Sequence, residues 1–131
     1  MVEKAKAVDL ANAKNFVKYS KTQFCIVLHE LAHAYHDQIL SFDDPTILDA
    51  FKNAKSEGLY DSVLHMSGNE KLAYAMTDHK EYFAELTEAY FGTNDFYPFV
   101  RPELLKHDPV GYEMIETVWG LHGSKENGNR K

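Results

Sequence analysis

The chain has 131 residues, 44% of them hydrophobic and 13% aromatic, which is enough apolar material for one domain with one core. The formal net charge of −6 argues against nucleic acid or an anionic membrane as a partner, because both are polyanions. Cys25 is the single cysteine of the sequence, so no disulfide can form within the chain.

The N-terminal stretch MVEKAKAVDLANAK is charged throughout and lacks the apolar core of a signal peptide. No apolar run approaches the roughly 20 residues that span a bilayer. We therefore expect no membrane-spanning segment, and secretion would require an export signal upstream, in a longer protein. Residues 1–122 predict a single domain, and Gly123–Lys131, with the sequence GSKENGNRK, predicts a disordered tail.

Three helices are predicted in the first half of the chain. The first covers about Val8–Tyr19, and the second covers about Thr22–Leu40. Asp44 followed by Pro45 is a typical helix start, with an N-cap residue before proline at the first helical position. The third helix begins there and is expected to end near Gly58.

The segment from Leu59 to Thr77 predicts a short β-hairpin or an extended loop. Leu72, Tyr74 and Met76 alternate with smaller or polar residues, and the triplet Ser67-Gly68-Asn69 is typical of a turn.

The second half returns to helical patterns. A fourth helix is predicted over about His79–Phe91 and stops at Gly92. The aromatic, proline-bounded stretch TNDFYPFVRP that follows is predicted to be an irregular connection. Asp108-Pro109 repeats the cap-then-proline signal for a last helix, which ends near Gly120. The fold class expected from these elements is mainly α, or α+β at most.

The predicted second helix carries the most informative motif, HELAHAYHDQ at residues 29–38, in which His29, Glu30 and His33 fit H-E-x-x-H. Residues four apart lie on the same face of a helix about one turn apart, so both imidazoles can reach a single Zn²⁺. The carboxylate of Glu30, next to the first ligand, is placed to accept a proton from a zinc-bound water. The alternative interpretation is a solvated helix surface that is rich in histidine.

The same helix is predicted to have an apolar face directed to the core and a separate histidine face. His36 lies on the histidine face, where we expect it to face solvent or to support the site. The apolar face consists of Phe24, Val27, Leu28, Leu31, Tyr35 and Ile39.

A catalytic zinc site needs a third protein ligand. Cys25 lies one turn before His29, but a small buried thiol is the better interpretation. In the predicted fourth helix, Glu81, Glu85 and Glu88 share one face, and their mutual repulsion would be relieved by a nearby cation. We assign Glu81 as the ligand and Glu85 as the carboxylate that hydrogen-bonds the non-ligating nitrogen of a zinc histidine. The reverse assignment stays open, as does an ordinary acidic surface.

HELAHAYHDQ and EYFAEL together resemble the zinc-site segments of the gluzincin clan of zinc metallopeptidases, in particular the lethal factor protease domain of anthrax toxin. The resemblance covers about residues 22–92 and implies a zincin-like fold, zinc bound by the two motif histidines and Glu81, and Glu30 as general base. Tyr74 stands seven residues before Glu81, where that family keeps a catalytic tyrosine, so the resemblance implies that it donates a hydrogen bond to the oxyanion or the leaving group. Without the resemblance, Tyr74 reads as an aromatic residue packed in the hairpin.

Zincin peptidases generally carry a β-sheet before the active-site helix, whereas only about 20 residues without a strand pattern precede it here. The chain is then either a piece of a longer protein or holds its substrate differently. The function expected is zinc-dependent hydrolysis of a peptide or protein substrate. Two alternatives remain: an inactive, zinc-stabilised binding or structural domain, and a metal-free helical interaction module. The sequence does not indicate an oligomeric state.

Overall fold

The computed structural model describes the backbone of residues 16–121 and the side chains of residues 23–121. Within these residues the chain is mainly helical, as predicted. No helix in this part of the chain is both long enough and apolar enough to cross a membrane. The predicted tail and most of the predicted first helix lie outside the described residues. The helices are α1 (Phe16–Tyr35), α2 (Pro45–Ser56), α3 (His79–Phe91), α4 (Arg101–His107) and α5 (Pro109–Val118), and the strands are β1 (Val63–Leu64) and β2 (Glu70–Lys71).

Helix α1 is continuous, so the predicted break between Tyr19 and Thr22 is wrong. Neither proline nor glycine occurs in this stretch, and nothing local interrupts the hydrogen-bond ladder. The helix continues into a π-helical turn over His36–Leu40, which ends at Ser41 with a positive φ of 81°.

Both predicted Asp-Pro helix starts are confirmed. The Asp44 carboxylate accepts hydrogen bonds from the backbone N–H groups of Thr46 (2.9 Å) and Ile47 (3.2 Å). The Asp108 carboxylate accepts one from the N–H of Gly111 at 2.8 Å. These contacts satisfy N–H groups that lack partners within the helix.

The predicted hairpin is present but shorter than the apolar alternation suggested. Val63 pairs with Lys71 and Leu64 with Glu70 in antiparallel register. Gly68 in the connecting turn has φ +100°, which favours glycine. Residues 74–76, which the alternation placed in the hairpin, form a 3₁₀ turn that leads into α3.

Helix α3 has the predicted bounds and is the central element, because it packs against α1, α2, α4 and α5. All residues from Tyr82 to Tyr90 are buried, including two of the three glutamates. The alternative of an ordinary acidic surface therefore does not hold for Glu85 and Glu88, since neighbouring helices cover this part of the helix. The sequence predicted an irregular connection up to Pro102. The short helix α4 instead begins at Arg101, with Pro102 in its first turn, and continues to His107.

The predicted core face of α1 is also wrong. Phe24 is 50% exposed and Ile39 is 69% exposed, whereas Ala32 and His36 on the histidine side are fully buried. Helix α1 contacts α3 through its histidine side, because that is where its polar groups find partners. The apolar stripe instead lines a groove of about 420 Å³ together with Phe91 and Trp119.

Candidate metal centre

Two helices bring the predicted metal ligands together. His29 and His33 lie one turn apart on α1, and Glu81 lies in the first turn of α3. Asp78 caps α3 by accepting a hydrogen bond from the backbone N–H of Glu81 at 2.9 Å, which fixes where this first turn begins. The three side chains converge although 52 residues separate His29 from Glu81.

The two imidazole nitrogens lie at nearly equal distances from each other and from the two oxygens of the Glu81 carboxylate. His29 Nε2 lies 3.1 Å from Glu81 Oε1 and 3.2 Å from His33 Nε2, and His33 Nε2 lies 3.3 Å from Glu81 Oε2. Ligand atoms about 2.0–2.1 Å from a tetrahedral Zn²⁺ would be about 3.3–3.4 Å apart. These three side chains could therefore hold a metal ion. All three side chains are partly exposed, so a water molecule or a substrate can reach them.

The second ring nitrogen of His29 points to the buried side of the site. Its Nδ1 lies 2.5 Å from Glu88 Oε2 and 3.6 Å from Glu85 Oε2. The sequence prediction assigned this contact to Glu85, whereas the structure places the hydrogen bond on Glu88. One helical turn separates the two residues, and only the way in which α1 crosses α3 decides which carboxylate reaches the ring. The sole hint in the sequence is that Glu88 lies seven residues after Glu81, on the same face.

The site is strongly acidic. The ion pairs of Glu81, Glu85 and Glu88 with described side chains are all with His29 or His33. The hydrogen bond to Glu88, with further attraction from the neighbouring carboxylates, raises the pKa of His29 to about 9. Burial, together with repulsion from Glu88, raises the pKa of Glu85 to about 8. The carboxylates around the ring therefore favour a positive charge on His29 in the metal-free protein.

The remaining predicted site residues have different surroundings. Glu30 is partly buried beside His29 on α1. Tyr74 opens the 3₁₀ turn before α3, and its side chain is 49% exposed. The thiol of Cys25 donates a hydrogen bond to the carbonyl of Thr93 at 3.0 Å. Cys25 is in neither of the two groups of described residues that could hold a metal ion, which are His29 with His33 and Glu81, and His29 with Glu85 and Glu88. The roles proposed for Glu30 and Tyr74 stay predictions.

His36 departs from its predicted environment. It is fully buried, in contact with the rings of Phe42, His79 and Phe83, and neither ring nitrogen has a hydrogen-bond partner among the described residues. Burial, with a further contribution from His79, lowers its pKa to about 4. It is therefore a neutral part of the packing at neutral pH.

Comparison of the chain with protein-family models, with curated proteins and with solved structures found no match.

Proposed function

We propose that the chain is a zinc-dependent peptidase in which His29, His33 and Glu81 hold the metal. The observation that carries the proposal is the spacing of 3.1–3.3 Å between His29 Nε2 and His33 Nε2 and from each of them to an oxygen of the Glu81 carboxylate. Two imidazoles and one carboxylate form a ligand set typical of catalytic zinc sites, which keep a fourth position open. The resemblance of HELAHAYHDQ and EYFAEL to gluzincin zinc-site segments supports the same conclusion.

Hydrogen bonding without a metal explains the triad less well. Each imidazole Nε2–H can donate to its own Glu81 oxygen, but the two nitrogens are then two donors only 3.2 Å apart, and neither can accept from the other. Three atoms meeting in this way can be satisfied together by a single cation at their centre.

Each residue then has a definite task. When bound, Zn²⁺ would polarise the scissile carbonyl and acidify the attacking water. The carboxylate of Glu30 would accept the proton of that water and deliver it to the leaving amine. The hydroxyl of Tyr74 would donate a hydrogen bond to the oxygen that becomes negative, where a preorganised donor contributes most. Because Tyr74 is half exposed, this contact would form as substrate binds.

Metal analysis is the first test. The full chain is stripped with a chelator, titrated with Zn²⁺, and its bound zinc is counted by mass spectrometry of the native protein. We expect one zinc ion per chain and none in His33→Ala. Zinc-free wild-type protein after loading would support the metal-free interaction module and overturn the proposal.

The catalytic role is tested with Glu30→Gln. We expect the variant to bind zinc as the wild type does and to lose about 100-fold or more of the cleavage rate on a mixed peptide library, because the general base is gone. Glu57→Gln, at an exposed position, is the matched control. Zinc binding with no cleavage by the wild type would favour the inactive, zinc-stabilised domain.

A further inference from the structure

Glu85 and Glu88 lie behind His29, on the side of its ring away from Glu81 and His33. Both carboxylates face the Nδ1 atom of this imidazole. The side chains of Glu85 and Glu88 are only 8% and 10% exposed. They contact one another and lie on the side of the ring opposite to Glu81 and His33. Burying two carboxylates is costly unless each has partners.

A histidine can ligate a metal through Nε2 only when that nitrogen carries no hydrogen. In neutral imidazole the hydrogen must then sit on Nδ1, and an acceptor at Nδ1 selects this tautomer and fixes the ring plane. Glu88 Oε2, 2.5 Å from Nδ1, is such an acceptor. Glu85 Oε2, at 3.6 Å, is too distant for a hydrogen bond to the same nitrogen.

We propose that Glu88 is the positioning residue of the metal centre, which holds His29 in the Nδ1–H tautomer with Nε2 directed at the ion, and that Glu85 supports Glu88 rather than His29. This inference rests on the proposed zinc site and adds the residue that preorganises it. His29 becomes the preformed ligand of the triad, since no described side chain holds His33 Nδ1 in a comparable way.

The experiment compares zinc dissociation constants, measured by competition with a chelator of known affinity. We expect Glu88→Ala to weaken zinc binding by about 10- to 100-fold, the range typical for partners of metal-ligating histidines. Glu88→Gln keeps an oxygen acceptor for Nδ1–H and is expected to lose less. Glu85→Gln is expected to change the affinity by less than about 3-fold, because an amide can still donate a hydrogen bond to Glu88. Glu57→Gln, at an exposed position away from the site, is the matched control and should leave the affinity unchanged.

A second measurement separates positioning from a general loss of stability. The ¹⁵N chemical shifts of His29 in the zinc-bound protein report which ring nitrogen carries hydrogen, and we expect Nδ1–H in the wild type and a mixture of tautomers in Glu88→Ala. Unchanged affinity and tautomer in both Glu88 variants would overturn the inference, as would a larger loss in Glu85→Gln than in Glu88→Gln. If the wild type binds no zinc, the proposed function fails instead. The Nδ1–H shift of His29 in the metal-free protein at alkaline pH, where the ring is neutral, then still decides whether Glu88 holds the ring, by comparison of wild type with Glu88→Gln.

Discussion

Buried carboxylates occur at two places in this domain, and their partners differ. Asp108 is fully buried and accepts hydrogen bonds from the hydroxyls of Tyr60 (2.8 Å) and Tyr82 (2.7 Å) and from the N–H of Gly111 (2.8 Å). Each of these donors is a neutral group that does not bind zinc. Burial raises the pKa values of both tyrosine hydroxyls, and the Asp108 carboxylate raises them further. Both tyrosines therefore stay protonated and act as donors.

At the metal centre the carboxylates face imidazole nitrogens, and one side of the cluster reaches solvent. Imidazole can exchange a proton for a metal ion, whereas a tyrosine hydroxyl with a strongly raised pKa keeps its proton. The comparison indicates that the partner and the access decide the role of a buried carboxylate. Asp108 stabilises the fold, whereas the glutamates of α3 belong to the proposed zinc site.

The largest expected effect concerns the structural carboxylate. Asp108→Ala leaves two buried hydroxyls and one N–H without their acceptor, so we expect the free energy of unfolding to fall by about 4 kcal/mol. Denaturant unfolding of the metal-free protein measures it. Asp44→Ala removes the cap at the other Asp-Pro helix start, where the aspartate is partly exposed. It should lower the free energy of unfolding by only about 1 kcal/mol. Equal costs at both positions would contradict the distinction between the two caps.

Glu81→Ala should weaken zinc binding strongly and change the stability of the metal-free protein little, in contrast to Asp108→Ala. We expect zinc affinity to fall more than about 100-fold, because a ligand is lost, while the unfolding free energy of the metal-free protein changes by less than about 1 kcal/mol. Removing one of several mutually repelling carboxylates offsets the lost contacts with the two histidines. Chelator competition and denaturant unfolding, performed on the same preparation, check both parts. A large loss of metal-free stability would make Glu81 a structural residue like Asp108.

The pH dependence of zinc binding tests the charge of the site. Because the pKa of His29 is raised to about 9 in the metal-free protein, its proton must leave before Nε2 can bind zinc. Affinity should therefore rise about tenfold per pH unit from pH 7 and level off near pH 9. Chelator competition at half-unit steps measures this slope. A flat profile over this range would show that His29 does not release a proton on binding.

The smallest effect is expected for His36→Leu. His36 has a pKa of about 4 in the fold and an ordinary value near 6.5 when unfolded, so protons favour the unfolded chain. Its contribution to stability is complete above pH 6.5 and is lost as the pH falls toward 4. The wild type should therefore lose about 2 kcal/mol more than the variant between pH 7 and pH 5. Superimposable pH profiles of unfolding free energy would rule out His36 as the source.

Several features were predictable because they depend on neighbours in the sequence. The Asp-Pro starts, the turn at Gly68 and the bounds of His79–Phe91 follow from capping and backbone preferences that act over a few residues. Helix α4 was not predicted, because its seven residues follow an aromatic stretch typical of a connection.

The environment of α1 could not be read from its pattern. An apolar stripe normally marks the core side of a helix, but here the stripe lines a groove and the histidine side is buried. The polar side packs inward because α3 supplies carboxylates that compensate the histidines, and those partners lie more than 50 residues away.

What the sequence alone determined is the local half of the site: two histidines four residues apart on one helix face and three glutamates on another, each enforced by 3.6-residue periodicity. Which glutamate faces which ring nitrogen was decided only by the crossing of α1 over α3. A shift of either helix along its axis by about one turn would exchange Glu85 for Glu88 without altering any local preference, so long-range packing had to make that choice.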